Sequence, residues 1–492
     1  MRQASEVELA IQPRPEHLSR QEWIYREIRQ AILSGRLKPG ARLPASRDFA
    51  RQQRVSRGTV LAAYDQLLAE GYLAANVGKG TYVSQKLPDS LQMRSDSRTP
   101  AGTGRPGRLS ARGVRLASSP FPLHEAGQTR QPFQPNQPDF SQFPLAIWNR
   151  IAAKRANALR SAAMGYADAA GYLPLRQTIA EHLRYSQQIH CSAQQIAIVG
   201  SAQQALDICA RLLLDDGDEV WMEEPGYPGA RHMFDCAGAR LVPVPVDGDG
   251  LQVDEGIRRS PDARMAYVTA AHQSPLGVSL ALERRLALLS WAKARRATLI
   301  EDDYDSEFRY HGMPLASLKS LDDDGRVIYL GTFSKLLFPS VRLAYVVLPD
   351  WLQESFCHAL CTLCRHVPLA TQRILSEFIA DGHFARHLRR MRLIYQQRAQ
   401  ALAASCQSRL AGALHLLPIT TGLDATAMLT TSVRDGAVAQ QLALAGITAR
   451  PLSFYHTQPA SAGGLILGFS AFTPEEIDAG VATMATVLAG FD

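Results

Sequence analysis

The chain has 492 residues, of which 46% are hydrophobic and 20% charged, and a net charge of +7; one hydrophobic core rarely serves so long a chain, so two or more domains are expected. No run approaches the roughly 18 consecutive apolar residues of a membrane span, and the first thirty residues are polar and charged without a signal-peptide core, which argues against the membrane and secreted classes. Seven cysteines without a repeating framework fit free thiols in a reducing compartment, so a cytoplasmic protein is expected.

The charge is unevenly spread. Residues 1–85 hold 13 Lys and Arg against 8 Asp and Glu, residues 86–131 hold 8 against 3, and the remainder is at −3. A basic front on a slightly acidic body points to a polyanionic partner for the front alone.

In that front, Ser19-Arg-Gln-Glu22 has the form of a capping box, and Ile24, Ile28 and Ile32 then share one helical face until Gly35, which predicts a helix over about 20–34. Leu43-Pro-Ala-Ser-Arg47 opens a short second helix. Ser56 to Val60 opens a third, whose stripe of Val60, Tyr64, Leu67 and Leu68 stops at Gly71. Two short strand-like runs flank Gly78-Lys79-Gly80. Three helices and a hairpin make a winged helix-turn-helix, mostly α. The stretch from Leu18 to Val83, with RLPASRDFARQQRVSRGTVLAAYDQLLAEGYL and VGKGTYV, resembles the DNA-binding domain of GntR-type regulators. The resemblance implies a double-stranded DNA operator as partner, with Arg47, Arg57 and Thr59 facing phosphates or bases and Lys79 and Gly80 at the wing tip in the minor groove. Ser56 reads as the cap of its helix.

Residues 86–131 mix Pro, Gly, Ser and Arg with almost no apolar periodicity, the composition of a flexible basic linker. Beyond it, short apolar runs at 195–199, 219–222, 265–268, 298–300, 327–330 and 343–347 alternate with amphipathic helices such as 281–296. That pattern predicts an α/β domain over 132–492 with a largely parallel sheet covered on both faces. Ligands on such sheets bind beyond the carboxyl ends of the strands.

The chemistry-bearing residues follow those ends. A phosphorylated pyridine aldehyde needs a lysine for a Schiff base, a carboxylate beside its ring nitrogen and an aromatic face over the ring. It also needs a donor to its phenolic oxygen and an anion site at a helix start. Lys335 supplies the amine, Asp302 the carboxylate, Tyr227 the stacking face and Tyr304 the donor. Ala202 and Gln203 begin a helix suited to phosphate, with Thr332 and Arg342 completing the anion site. No metal site is expected. Cys357, Cys361 and Cys364, with His358 and His366 nearby, fall at the spacing of a buried helical stripe and are assigned to packing.

This second half resembles the fold-type I aminotransferases through VGSAQQALDICARLLLDDGDEVWMEEPGYPGA, IEDDYDSEFRY, GTFSKLLFPSVRLAYVV and GHFARHLRRMR, and the order of domains is that of the MocR-type regulators. The resemblance implies pyridoxal 5'-phosphate as cofactor, a head-to-tail homodimer, and Tyr166 of GYADAAGY reaching the phosphate from the partner subunit. It implies a regulator that senses the cofactor or an amino compound; a working aminotransferase with an accessory DNA-binding head is the alternative. Three positions depart from the pattern. Ser274 stands where an Asn commonly contacts the phenolic oxygen, and Ala344 where a Gly follows the phosphate arginine. Ile466 stands where many relatives carry the arginine that grips an α-carboxylate. Arg450 is the nearest substitute cation in sequence.

Overall fold

The computed structural model describes residues 12–15, 18–76, 80–85, 107–121, 130–158, 165–312, 316–459 and 462–491, which fall into two compact units, 1–108 and 109–492. In the first, α1 (Arg20–Leu33) begins where the Ser19 hydroxyl accepts from the N–H of Glu22 at 3.2 Å. Both it and α2 (Ser46–Gln52) pack on α3 (Arg57–Ala69). A hairpin of β1 (Leu73–Asn76) and β2 (Gly80–Val83) closes the unit with Leu73 opposite Val83. Ile24, Ile28 and Ile32 meet Phe49, Val60, Tyr64 and Leu67 in one buried cluster, as the helical spacing required.

The segment read as a flexible linker needs correction in its second half. Residues 111–117 form α4 (Ala111–Ala117), capped by Ser110, whose hydroxyl accepts from the N–H of Gly113 at 3.0 Å. Its helix-forming run was masked by the Gly, Pro and Ser around it. Residues 86–106 and 122–129 lie outside the described residues.

Two helices, α5 (Leu145–Asn157) and α6 (Leu173–Ser186), precede the main sheet. Strands and helices then alternate: β3 (Ile196–Val199), α7 (Ala202–Leu213), β4 (Glu219–Glu224), α8 (Pro228–Ala237), β5 (Arg240–Asp247), β6 (Gly250–Leu251), α9 (Val253–Arg259), β7 (Met265–Val268), α10 (Leu282–Arg295), β8 (Thr298–Asp303), β9 (Val327–Thr332) and β10 (Ala344–Val347). The order is β3-β10-β9-β8-β7-β4-β5-β6. All six predicted runs are strands; β10 and β6 run antiparallel to their neighbours, and β5 and β6 were not predicted. Along β3, Ile196 and Ile198 enter one buried layer and Ala197 and Val199 the other, so both faces of the sheet are covered. Each fully buried aliphatic side chain contributes roughly 1.5–3 kcal/mol, which makes the strands a rigid platform for whatever follows their ends.

Helices α11 (Asp350–Cys364), α12 (Leu369–Ala380) and α13 (His383–Arg409) lead to a smaller sheet. It comprises β11 (Leu414–Leu416), β12 (Asp424–Leu429), β13 (Arg450–Pro451) and β14 (Gly464–Gly468) in the order β11-β12-β14-β13, with α14 (Asp435–Leu444) and α15 (Pro474–Leu488) beside it. No helix among the described residues is long and apolar enough to cross a membrane.

Candidate functional site

The register of the main sheet gathers the singled-out residues along one edge. Because β10 runs antiparallel between β3 and β9, with Ala344 opposite both Val199 and Thr332, the ends of β3 and β9 meet the start of β10. Ala202 and Gln203, Arg342, and Thr332 to Lys335 therefore converge at one corner. The Asp303 to Gly331 pairing brings the end of β8, with Asp302 and Tyr304, beside them. Further along the same edge come the ends of β7 and β4, with His272 and Tyr227.

At the corner, Ser201 caps α7 by accepting from the N–H of Gln204 at 3.2 Å. The N–H groups of Ala202 and Gln203, as the first of a helix, have no acceptor within it. Gln203 Oε1 is buried and unpartnered. Arg342 adopts a left-handed conformation with φ of +48° and is exposed, with no ion pair among the described residues. Orphaned donors at a helix start and an unpaired guanidinium suit a phosphate. Ala344, the departure from Gly noted after the phosphate arginine, puts its methyl into the buried layer against α7.

Lys335 Nζ donates to the backbone oxygen of Asn136 at 3.0 Å. Burial pulls its pKa down to about 8; the carboxylates of Asp424, Asp305 and Asp302 oppose that pull and Arg450 adds to it. Asp302 is buried and accepts from the hydroxyl of Tyr267 at 2.6 Å. Burial pushes its carboxyl up to about 7, against the Tyr267 hydrogen bond and the Lys335 charge. Tyr227 sits at the start of α8, half-buried; burial and then the Asp302 charge raise its pKa. Gly229 leaves the space that Gln203 and the Tyr227 ring occupy.

Tyr304, expected to reach a phenolic oxygen, rests its hydroxyl 3.2 Å from His272 Nδ1, which is also 2.8 Å from Asp305 Oδ1. Burial works against a charged His272, yet Asp305 carries its pKa above the ordinary value. Glu223 lies behind this group, held by Thr269 Oγ1 at 2.6 Å and Gln273 Nε2 at 3.2 Å, with its carboxyl pushed up to about 7 by burial. Tyr267, Asp305 and Glu223 are missed by sequence reasoning. For Tyr267 and Glu223 the available signal was that a tyrosine or carboxylate inside a doubly buried strand must find a polar partner; Asp305, beyond the end of β8, offered none.

The segment 132–139 lies against the small sheet. Gly468 N donates to Phe133 O at 2.9 Å, Ser470 Oγ to Gln137 O at 2.7 Å, and Arg398 pairs with Asp139 at 2.7 Å. Between these anchors Asn136, with φ of +64°, accepts from Lys335 and donates its N–H to Asp424 Oδ1 at 2.8 Å. On the neighbouring sheet Ile466 stands directly opposite Arg450. Arg450 is half-buried and lies 5.3 Å from the centre of the Phe454 ring.

Tyr166 is 87% exposed, its ring beside His366 and Arg365, and no described contact brings it to the corner of its own chain. The buried stripe of α11 is Leu352, Phe356 and Leu360, so the cysteines are not in it. Cys357 and Cys361 flank it and Cys364 is exposed, because the stripe is offset by one residue. No cluster of metal-ligating side chains occurs among the described residues.

In the first unit Arg47 and Arg57 are exposed at the starts of α2 and α3, without ion pairs among the described residues. Ser56 caps α3, accepting from Thr59 N at 3.1 Å, and its hydroxyl lies 2.8 Å from that of Thr59. Gly80, at φ of +105°, starts β2 with Arg42 packed against it, a cation that sequence reasoning missed. Lys79 lies outside the described residues.

Residues 20–83 match the family described as bacterial regulatory proteins, gntR family, and residues 133–483 match aminotransferase class I and II. The chain is 39% identical over 462 residues to a probable rhizopine catabolism regulatory protein, MocR, of Rhizobium meliloti, covering 93% of this chain and 91% of that one. It is 33% identical to the HTH-type pyridoxine biosynthesis transcriptional regulator PdxR of Corynebacterium glutamicum, over 90% of each chain. Among solved structures it is similar to an archaeal alanine:glyoxylate aminotransferase, with a TM-score of 0.68 and 26% identity over 74% of this chain and 92% of that one.

Proposed function

This chain belongs to the MocR-type transcriptional regulators, in which a GntR-type head is joined to an aminotransferase-like domain, and we propose that it regulates transcription in response to pyridoxal phosphate or an amino compound that reacts with it. The observation that carries the reading is Lys335. It is an amine whose pKa burial lowers to about 8, within reach of a buried carboxylate, at the corner where α7 begins. When bound, pyridoxal phosphate supplies an aldehyde carbon that exchanges between amines and a ring that withdraws electrons from them.

The chain's own residues supply the rest. The N–H groups of Ala202 and Gln203, with Thr332 and Arg342, hold the phosphate. Tyr227 covers the ring face. Asp302, kept in place by Tyr267, holds a proton on the ring nitrogen. Tyr304, steered by His272 and Asp305, donates to the phenolic oxygen and takes over the part that Ser274 cannot play. A lowered lysine pKa keeps more of the amine unprotonated and ready to react near neutral pH. In this reading two chains associate head to tail and the partner's Tyr166 reaches the phosphate, while Arg47, Arg57, Thr59, Lys79 and Gly80 meet operator DNA.

Borohydride treatment of the purified full-length protein with pyridoxal phosphate tests the reading. It should fix the cofactor to one peptide containing Lys335, and labelling at another lysine, or none, overturns it. A second reading, a working aminotransferase, draws support from Arg450, which stands across the ladder from Ile466 and offers a grip for an acidic group. Multiple-turnover conversion of an amino acid to its keto acid would establish that reading instead.

A further inference from the structure

We propose that Asp424 anchors a second cationic group on the ligand, so that the site takes amino acids carrying two amino groups; this rests on the reading that pyridoxal phosphate is held at Lys335. Residues two apart on a strand share a face, and so do residues directly opposite in a ladder. Asp424 and Thr426 are therefore on one face of β12, and Thr426, Ile466 and Arg450 are in line across β12, β14 and β13. Thr426 Oγ1 donates to Pro275 O at 2.6 Å, which turns that face toward the loop after β7 and hence toward the site. The wall so formed carries Asp424 on one side of Ile466 and Arg450 on the other.

Neither charge has an ion-pair partner among the described residues, where Asp424 accepts a hydrogen bond from the N–H of Asn136. The same Asn136 accepts from Lys335, so Asp424 lies one residue's backbone away from the reacting amine. Once the Lys335 nitrogen is engaged by the cofactor, Asp424 is left with the weaker pull of Arg450. Charges left unpaired in a half-buried wall are unfavourable unless a ligand complements them. A diamino acid does so at three points. Before any exchange of amines at the cofactor, its α-amine lies beside the engaged Lys335 nitrogen, its carboxylate meets Arg450, and its second ammonium meets Asp424. The methylenes lie along Ile466, Leu276 and Leu452, which pack together.

The test uses full-length protein loaded with pyridoxal phosphate, with ornithine and norvaline as probes of equal length that differ by one amino group. Dissociation constants come from calorimetry, and the cofactor absorbance is recorded in parallel. Ornithine should bind at least about tenfold tighter, the ratio expected from one charge-assisted hydrogen bond. In Asp424→Asn the ratio should fall to within about threefold with the cofactor absorbance retained, and Asp424→Glu should restore part of it. Equal affinities in the wild type, or a preference that survives Asp424→Asn, overturn the proposal. If that variant fails to fold, the wild-type ratio decides alone. A wild type with no cofactor absorbance overturns the cofactor reading and the proposal together, whereas absorbance with equal affinities overturns the proposal only.

Discussion

Replacing Tyr267 by Phe isolates one hydrogen bond. The Tyr267 ring is fully buried and its hydroxyl donates to Asp302 at 2.6 Å, so the substitution deletes a single donor and leaves the packing in place. A hydrogen bond to a charged group contributes roughly 1.5–3 kcal/mol, which is about 1–2 pKa units on the carboxyl. Asp302 starts at about 7; the variant should therefore raise it to about 8–9. At about pH 7.5 the ionised fraction in the cofactor-free protein would drop from roughly three quarters to between about a quarter and a few per cent. If the ring nitrogen pairs with the ionised form, as proposed, pyridoxal phosphate should bind about 3- to 25-fold more weakly at that pH. The deficit should shrink above about pH 9.5, where both carboxyls are ionised. Fluorescence titration with the cofactor across pH measures this. A deficit of the same size at every pH, or none, would refute the pairing of Asp302 with a protonated ring.

Lys335→Ala should abolish the absorbance of lysine-bound cofactor while the circular dichroism spectrum stays that of the wild type, since Lys335 makes one hydrogen bond and no ion pair among the described residues. Arg57→Ala and Arg47→Ala should each lower the log-log salt slope of DNA binding by about one, and an unchanged slope in both removes them from the phosphate contacts. In the cofactor-free protein the carboxyls of Glu223, Glu301 and Asp302 are each raised to about 7 by burial, above the ~4 of an unfolded chain. The folded state then holds more protons than the unfolded one across that window, so stability should fall as pH rises from about 5 to about 7 and level off above. His387, lowered to about 4 by burial, works the other way with one proton against three. Denaturant midpoints across pH check this, and Glu223→Gln should flatten the slope.

The six strands and three head helices were legible because burial writes its period into the sequence. Ile196 to Val199 is apolar throughout since both faces of β3 are covered, and the Ile24, Ile28, Ile32 spacing is one helical face. β5 escaped because Pro243 and Pro245 read against a strand. They are tolerated because β6 pairs with β5 only at Val246 and Asp247, which leaves most of that edge without a ladder to break. Lys335, Asp302 and Tyr227 could be picked out by their place after strand ends. Asp424 could not, because its importance comes from Asn136, 288 residues away in the chain, and from a register that no local pattern encodes. Arg450 could be named from sequence only as the nearest cation, and the ladder sets it opposite Ile466.

The carbonyl of Asn136 has a further consequence. It belongs to a stretch, 132–139, that is pinned on both sides of Asn136 by Gly468, Ser470 and Arg398. Lys335 is thus a clasp on that stretch, fastened while its nitrogen is a free amine and undone when that nitrogen bonds elsewhere. At about 1 kcal/mol for such a hydrogen bond, opening the clasp reweights the conformations of residues 132–139 by roughly fivefold. The chemical state of one side chain is in this way carried into the backbone by an ordinary peptide oxygen.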